Sequence, residues 1–243
     1  MKELLVALSL LSSHSIVAQR AIHVEVRPGQ AENFWRTHVL SREDELELND
    51  VAAGSQPFYL RLWKGEAIID IWPKQSGYQG SLTQWVKERV PSGEEETGRY
   101  FIIKEAVDSA ACRQLYLAYL SRQLDALPSE EKISGWKEGF DGVTYILETL
   151  KNDTYYLKSY WTPSIQEGVK EAGLVQGFVA DVDQLLDLKR RSYYFNKSIP
   201  FESWTTSGGA SVSRILTLAG HFTMKKERNR YRWLIRKQAN HSK

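Results

Sequence analysis

The chain is poor in the residues that mark several classes of protein. Among 243 residues it has one cysteine and five histidines, and no apolar run approaches a membrane-spanning length of about 18 residues. One cysteine excludes a disulfide scaffold. The 32 Lys plus Arg nearly balance the 30 Asp plus Glu, so the net charge of +2 indicates no particular partner. With 42% hydrophobic and 26% charged residues, the composition is that of a globular protein with a real core.

Cofactor chemistry also lacks its usual sequence patterns. The histidines are scattered, with no two on one helix turn: His14, His23, His38, His221 and His241. The acidic run at residues 94–96 lacks the alternating Asp and Asn of a calcium loop. No phosphate-binding glycine loop and no dinucleotide fingerprint occur. We therefore expect no metal and no cofactor.

Residues 1–19 have the character of a secretory signal peptide. An apolar stretch at residues 4–11 is too short to cross a hydrocarbon core of about 30 Å, and small Ala18 suits a position just before cleavage. Glu3 cancels the charge of Lys2, which departs from the usual basic start. The prediction is a mature protein of residues 20–243 that is periplasmic or secreted and has no transmembrane span. The alternative is a cytosolic protein that keeps these residues as a folded N-terminal helix.

The mature chain is predicted to be a single α+β domain, with residues 20–60 as an alternative separate lobe. Mainly antiparallel strands, in hairpins and a meander, are expected to pack with two principal helices. Apolar and polar alternation bounded by turn residues predicts strands at 22–27, 57–63, 66–72, 99–105, 134–138, 143–150 and 154–161, with two more within 212–235. The acidic stretch 43–50 is predicted to be a solvated loop.

The two helices are predicted from apolar spacing and capping residues. The first spans about 109–127 and carries Cys112 on its apolar stripe, where a thiol is expected to be inert packing. The second is expected to begin at Ser164, because Ser164 and Glu167 have the spacing of a capping box.

One segment resembles a sequence that recurs in other proteins. Residues 139–148 read Gly-Phe-Asp-Gly-Val-Thr-Tyr-Ile-Leu-Glu, with Trp136 before them and an aromatic run at 155–161 after them. Over about thirty residues this resembles uncharacterised exported bacterial proteins of the Bacteroidota type. The resemblance implies a hairpin, and no activity is attached to it.

Four residues are candidates for hydrolytic chemistry. Asp70 and Glu148 lie on predicted strands among apolar and aromatic residues, where a carboxylate pair could face a cleft. Ser211 follows Gly209 and Ala210 in a loop that resembles a nucleophile elbow without its closing glycine, and His221 lies ten residues further on. Solvated carboxylates on a sheet and a flexible polar loop are the structural alternatives.

Aromatic and basic residues indicate binding surfaces. The eight tryptophans and twelve tyrosines suit a core, although a solvent-facing row of Trp63, Trp72 and Trp161 would form a ligand surface. Residues 225–237 contain seven basic residues and one acidic residue, and the candidate anion-binding residues are Arg228, Arg230, Arg232 and Trp233. An anionic surface or polysaccharide is the expected partner of this stretch, and nucleic acid is not expected for an exported protein. A solvated terminal strand is the alternative.

The sequence as a whole favours an exported soluble protein with a non-catalytic binding or structural role. The alternative is a secreted or periplasmic hydrolase that uses a carboxylate pair or a serine nucleophile. A deep pocket with converging titratable groups would distinguish the enzyme from a binding protein with an exposed aromatic or basic surface.

Overall fold

A computed structural model describes residues 21–26, 32–139 and 141–241, with side chains described as far as residue 237. The predicted signal peptide at 1–19 lies outside the described residues. The described strands are β1 (Ala21–Val24), β2 (Phe58–Lys64), β3 (Ala67–Lys74), β4 (Gly77–Glu88), β5 (Tyr100–Val107), β6 (Thr144–Lys151), β7 (Thr154–Trp161), β8 (Ser203–Thr205) and β9 (Ser211–Ser213). The described helices are α1 (Phe34–Glu45), α2 (Ser109–Ser121), α3 (Lys170–Leu185), α4 (Leu188–Ser198) and α5 (Leu218–His241).

The strands form one mixed sheet in the order β1-β7-β6-β2-β3-β4-β8-β9, with β5 also paired to β4. Every pairing is antiparallel except that of β1 with β7. This confirms the α+β class and the mainly antiparallel sheet. The described residues contain five α-helices, however, where two principal helices were predicted.

Two tight turns set the register of the central strands. Asn152 and Asp153 both have positive φ, 50° and 56°, as a type I′ hairpin between β6 and β7 requires. The strands predicted at 57–63 and 66–72 place the turn between β2 and β3 at Lys64-Gly65. The observed turn is Gly65-Glu66, one residue later, because Lys64 pairs with Ala67. Gly65 takes φ of 57° at the first central position, which suits a type II′ turn. This later turn sets which residues of β2 and β3 face each other.

One face of the sheet packs against α2 and α3. The α2 residues Cys112, Leu115 and Tyr119 join Val175 and Phe178 of α3 in a core with Leu60, Leu62, Ile69, Ile71 and Leu82 of the sheet. Burial raises the pKa of the Cys112 thiol to about 11, so the sulfur remains a protonated packing group. The prediction that Cys112 is buried on the apolar side of this helix is confirmed.

The other face packs against α1, a helix that was not predicted from the sequence. Asn33 caps this helix through its side-chain oxygen, which accepts from the Arg36 amide at 3.1 Å. Val39 of α1 lies in a second core with Trp63 and Ile68, and Glu43 is buried beneath the helix. The prediction of a solvated acidic loop from residue 43 is therefore wrong, because Glu43 has a buried partner on the sheet.

Three further predictions about local structure are wrong. Residues 134–138 form no strand. Helix α3 begins at Lys170 instead of Ser164, because Gly168 takes φ of 77° and separates it from a short 3₁₀ turn at Pro163–Ile165. Residues 218–241 form one helix instead of strands.

None of the described helices combines the length and the apolar character needed to cross a membrane.

Candidate functional site

The register of three central strands places an arginine between two carboxylates. Arg61 of β2 lies opposite Asp70 of β3 on one side and opposite Glu148 of β6 on the other. All three side chains point to the face covered by α1, because residues at corresponding register positions share one face of a sheet. Asp70 and Glu148, which the sequence offered as a carboxylate pair, are therefore in one row with a cation between them.

A third carboxylate comes from the helix above the row. Glu43 of α1 accepts a hydrogen bond from Nη1 of Arg61, while Nε of Arg61 donates to Oδ1 of Asp70 at 2.6 Å. Glu148 Oε2 lies 3.9 Å from Nη1 of Arg61. We call these four residues, Arg61, Glu43, Asp70 and Glu148, the Arg61 cluster. Its arginine is fully buried.

Neighbouring side chains add hydrogen bonds to two carboxylates of the cluster, Glu148 and Asp70. Glu148 accepts from Nε1 of Trp63 at 2.5 Å and from the hydroxyl of Tyr155 at 2.9 Å. The hydroxyl of Ser81 donates to Asp70 at 3.4 Å. A buried charge is stable only when it is paired and hydrogen-bonded, and these contacts meet that requirement for the carboxylates.

Burial governs the protonation of the cluster. It raises the pKa of Glu43 to about 8, with the neighbouring Glu148 adding to the rise and Arg61 opposing it. Burial also raises the pKa of Glu148 above its usual range. Glu43 is therefore mainly protonated at neutral pH, which lowers the excess of negative charge around Arg61.

The two candidate carboxylates do not face solvent. Asp70 exposes 2% and Glu148 exposes 1% of its surface, because α1 lies over them. A substrate has no contact with either side chain in this arrangement. The cluster as observed is suited to holding α1 on the sheet.

The two candidates for serine chemistry, Ser211 and His221, do not contact the same residues. Ser211 is exposed on β9, whereas Nδ1 of His221 lies 2.7 Å from Oε1 of Glu202. No hydrogen bond joins Ser211 to His221 in the part of the chain that the structure describes. The histidine therefore anchors α5 through Glu202.

The basic candidates divide between paired and exposed residues. Arg228 is 1% exposed and bonds to Glu94 and Glu202, and Arg232 also bonds to Glu94. Arg230 is exposed, and Trp233 is 59% exposed. Only the latter two of these are placed to meet a partner.

A groove lies at one end of the α1 face, beside the Arg61 cluster. It consists of two adjoining cavities of about 550 and 430 Å³, sizes typical of small-molecule sites. Both are lined by Trp35, Gly139, Thr144 and Trp161. We call this pair of cavities the aromatic groove.

Four tryptophans and a phenylalanine form its walls and floor. Trp35 and Trp161 are half-buried, and Phe34 is largely exposed at the mouth of the larger cavity. Trp63 and Trp85 are buried and line the smaller cavity. The floor is connected to the Arg61 cluster, since Trp63 donates to Glu148.

Polar side chains also line the groove. The side chains that supply oxygen or nitrogen atoms are Asn33, His38, Glu66, Glu130, Glu131, Lys137, Glu138, Thr144, Thr206 and Ser207. Burial, followed by the nearby Arg42, lowers the pKa of His38, so its imidazole is neutral at pH 7. No group of three or more His, Cys, Asp or Glu side chains suited to a metal ion occurs within the described residues.

The loop before β6 holds Trp161 in place. A Cβ atom on Gly139 would lie 2.3 Å from Cη2 of Trp161, so only glycine fits against this ring. The indole of Trp136 donates to the Trp161 carbonyl at 3.1 Å, and Glu130 accepts from the Trp161 amide. Gly139 and Trp136 thus both contact Trp161 beside the groove.

Of the three tryptophans proposed as a solvent-facing row, the structure brings only two together. Trp63 and Trp161 line the same cavity. Trp72 instead stacks on Tyr59, with ring centroids 5.6 Å apart, and lines a separate cavity. Trp35 and Trp85 were not predicted as site residues, because neither the helix that carries Trp35 nor the strand that carries Trp85 was predicted. The chain matches no protein-family model and no curated protein.

Proposed function

We propose that the protein is a non-catalytic binding protein that holds a neutral sugar in the aromatic groove. The observation that carries the proposal is that two half-buried tryptophans, Trp35 and Trp161, line both cavities of the groove. Sugar rings have apolar C–H faces that stack on indoles, and hydroxyl edges that bond to carboxylates, amides and hydroxyls. The groove offers both kinds of group.

Binding without catalysis is favoured by the location of the carboxylates. The pair that the sequence suggested for hydrolysis, Asp70 and Glu148, is engaged with Arg61 beneath α1. Glu148 supports Trp63 at the groove floor, and neither carboxylate meets a ligand directly. Their role in this proposal is to fix the groove in place before a ligand arrives.

Replacing the shared tryptophans tests the proposal. A panel of neutral mono- and oligosaccharides is screened by thermal shift, and calorimetry then measures affinity for the best ligand. We expect Trp161→Ala and Trp35→Ala each to weaken binding about tenfold or more, because each removes a stacking surface. Trp72→Ala is the matched control, since Trp72 lies in a different cavity of the same sheet face, and it should bind normally.

Two outcomes would contradict the proposal. Equal losses in Trp72→Ala and Trp161→Ala would mean that the groove is not the site. Release of smaller sugars from a bound oligosaccharide would favour the hydrolase alternative, in which case the cleaving carboxylate would have to be sought among the groove side chains.

We also propose that the protein is exported to the periplasm or secreted. The support is the apolar segment 4–11 followed by Ala18. Intact-mass measurement of protein purified from its native host should show a chain that begins close to residue 20. A mass that includes residues 1–19 would contradict export and favour the cytosolic alternative.

A further inference from the structure

Helix α5 is attached to the rest of the protein along one side. His221 contacts Glu202, Arg228 bonds to Glu94 and Glu202 at 3.1–3.2 Å, and Arg99 lies over the ring of Tyr231 at 5.0 Å. Residues 221, 228 and 231 lie on one face of an α-helix, because they are spaced by seven and three. This inner face is therefore occupied by the protein's own acidic and basic residues.

The opposite face of α5 carries a stripe of aromatic and basic side chains. Its members follow each other at intervals of three or four residues and all are exposed: Leu218, Phe222, Lys226, Arg230, Trp233 and Lys237. Phe222 is 62% exposed and Trp233 59%. At about 1.5 Å per residue these two rings lie roughly 16 Å apart along the helix.

The basic members of the stripe are available for an external anion. Lys226 and Arg230 form no ion pair within the described residues, and Lys237 lies 5.3 Å from the ring of Trp233. By contrast, Arg228, Arg232 and Arg236 bond to Glu94, Glu202 or Glu95. Ion pairs thus compensate the charges of Arg228, Arg232 and Arg236, whereas the charges of Lys226 and Arg230 have no such partner within the described residues.

We propose that this outer stripe binds the surface of an anionic lipid bilayer. Lysine and arginine attract acidic headgroups, while exposed phenylalanine, tryptophan and leucine side chains enter the boundary between headgroups and acyl chains. Because all six side chains share one face, the helix lies flat on the surface and they make contact together. Fully exposed Ile215, just before the helix, adds another apolar side chain.

The apolar members favour lipid over a soluble polyanion. An anionic polysaccharide or an oligonucleotide would bind the basic residues and could stack on Trp233, but it offers no apolar surface to Leu218 or Ile215. A lipid surface uses both kinds of side chain. This inference does not depend on what the aromatic groove binds.

Vesicle co-sedimentation tests the inference with the full chain. We expect binding to vesicles of equal parts phosphatidylcholine and phosphatidylglycerol, and little binding to phosphatidylcholine alone. Salt should weaken it through screening. The triple variant Lys226→Glu, Arg230→Glu, Lys237→Glu should lose at least about tenfold in affinity, since each basic residue near an acidic surface contributes.

A matched triple variant controls for total charge. Lys104→Glu, Lys170→Glu and Lys189→Glu change exposed residues on β5, α3 and α4, and this variant should lose clearly less affinity than the α5 variant. Both triple variants keep residues 1–19, so any membrane affinity of that apolar segment is the same in the two proteins. Circular dichroism melts check that both variants fold.

A second measurement reports insertion directly. Brominated anionic lipids should quench part of the tryptophan fluorescence of the wild type, and Trp233→Phe should abolish that part. Equal affinity of the two triple variants, equal binding to neutral vesicles, or binding to heparin or an oligonucleotide without binding to acidic vesicles would each overturn the inference.

Discussion

Arg61→Met should lower the free energy of unfolding at neutral pH by about 3–5 kcal/mol, the largest effect expected of any single substitution in this protein. Arg61 is fully buried and contacts Glu43, Asp70 and Glu148. Methionine fills a similar volume, but it leaves Asp70 and Glu148 in a low-dielectric site without their cation. Urea unfolding followed by circular dichroism measures the loss.

The matched control for this prediction is Arg113→Met. Arg113 is exposed on α2 and forms no ion pair within the described residues, so its replacement should change stability by less than about 0.5 kcal/mol. Adding Asp70→Asn and Glu148→Gln to Arg61→Met should restore part of the stability, because the buried negative charge is then removed. A loss for Arg61→Met no larger than that for Arg113→Met would contradict the structural role of the cluster.

The second large effect is a dependence of stability on pH that comes from Glu43. Burial raises the pKa of this carboxyl from 4.5 to about 8 in the folded protein. Between these values the folded state holds the proton and the unfolded state has released it, so the unfolded state binds fewer protons. The contribution to stability is therefore fully present below about pH 4.5 and is lost as the pH rises through 8.

Glu43→Gln isolates this contribution. The amide resembles the protonated acid and does not titrate, so the variant should lose less stability than the wild type between about pH 5 and pH 8, by on the order of 2 kcal/mol. Groups with lowered pKa values, such as Glu94 and Glu202, contribute equally to the pH dependence of stability in both proteins. Their contributions therefore cancel when the two profiles are compared. Glu96→Gln, an exposed change, should leave the profile as in the wild type. Parallel profiles for wild type and Glu43→Gln would contradict the raised pKa.

The hairpins could be predicted from sequence because their determinants are local. Asn152 and Asp153 adopt the positive φ values that their residue types tolerate, and Gly65 does the same between β2 and β3. The exact position of the turn between β2 and β3 was predicted wrongly. With the turn at Lys64-Gly65, Asp70 would lie opposite Tyr59, whereas the observed turn one residue later places it opposite Arg61.

Helix α1 was missed because its buried face is partly charged. Sequence patterns treat a charged residue as solvent-facing, yet Glu43 is buried by a partner 18 positions away on β2. The Arg61 cluster was not predicted for the same reason, because its charged residues are buried. Asp70 and Glu148 were visible as carboxylates on strands, but the arginine between them emerges only from strand pairing.

Helix α5 shows how distant partners change a local pattern. The basic stretch was compatible with alternating strand residues, but Arg228, Arg232 and Arg236 are spaced by four and reach Glu94 and Glu95 from one helix face. That spacing was a helix signal in the sequence. The acidic loop that it meets lies more than 130 residues away.

Locating a bound sugar by the indole resonances of the eight tryptophans is the most direct test of the proposed function. The resonances of an isotope-labelled sample are assigned by single Trp→Phe variants and followed as the sugar is added. Binding in the aromatic groove predicts shifts for Trp35, Trp63, Trp85 and Trp161, with Trp72, Trp204 and Trp233 unchanged. Shifts confined to Trp72 or Trp233, or unchanged groove resonances with every sugar in the panel, would contradict it.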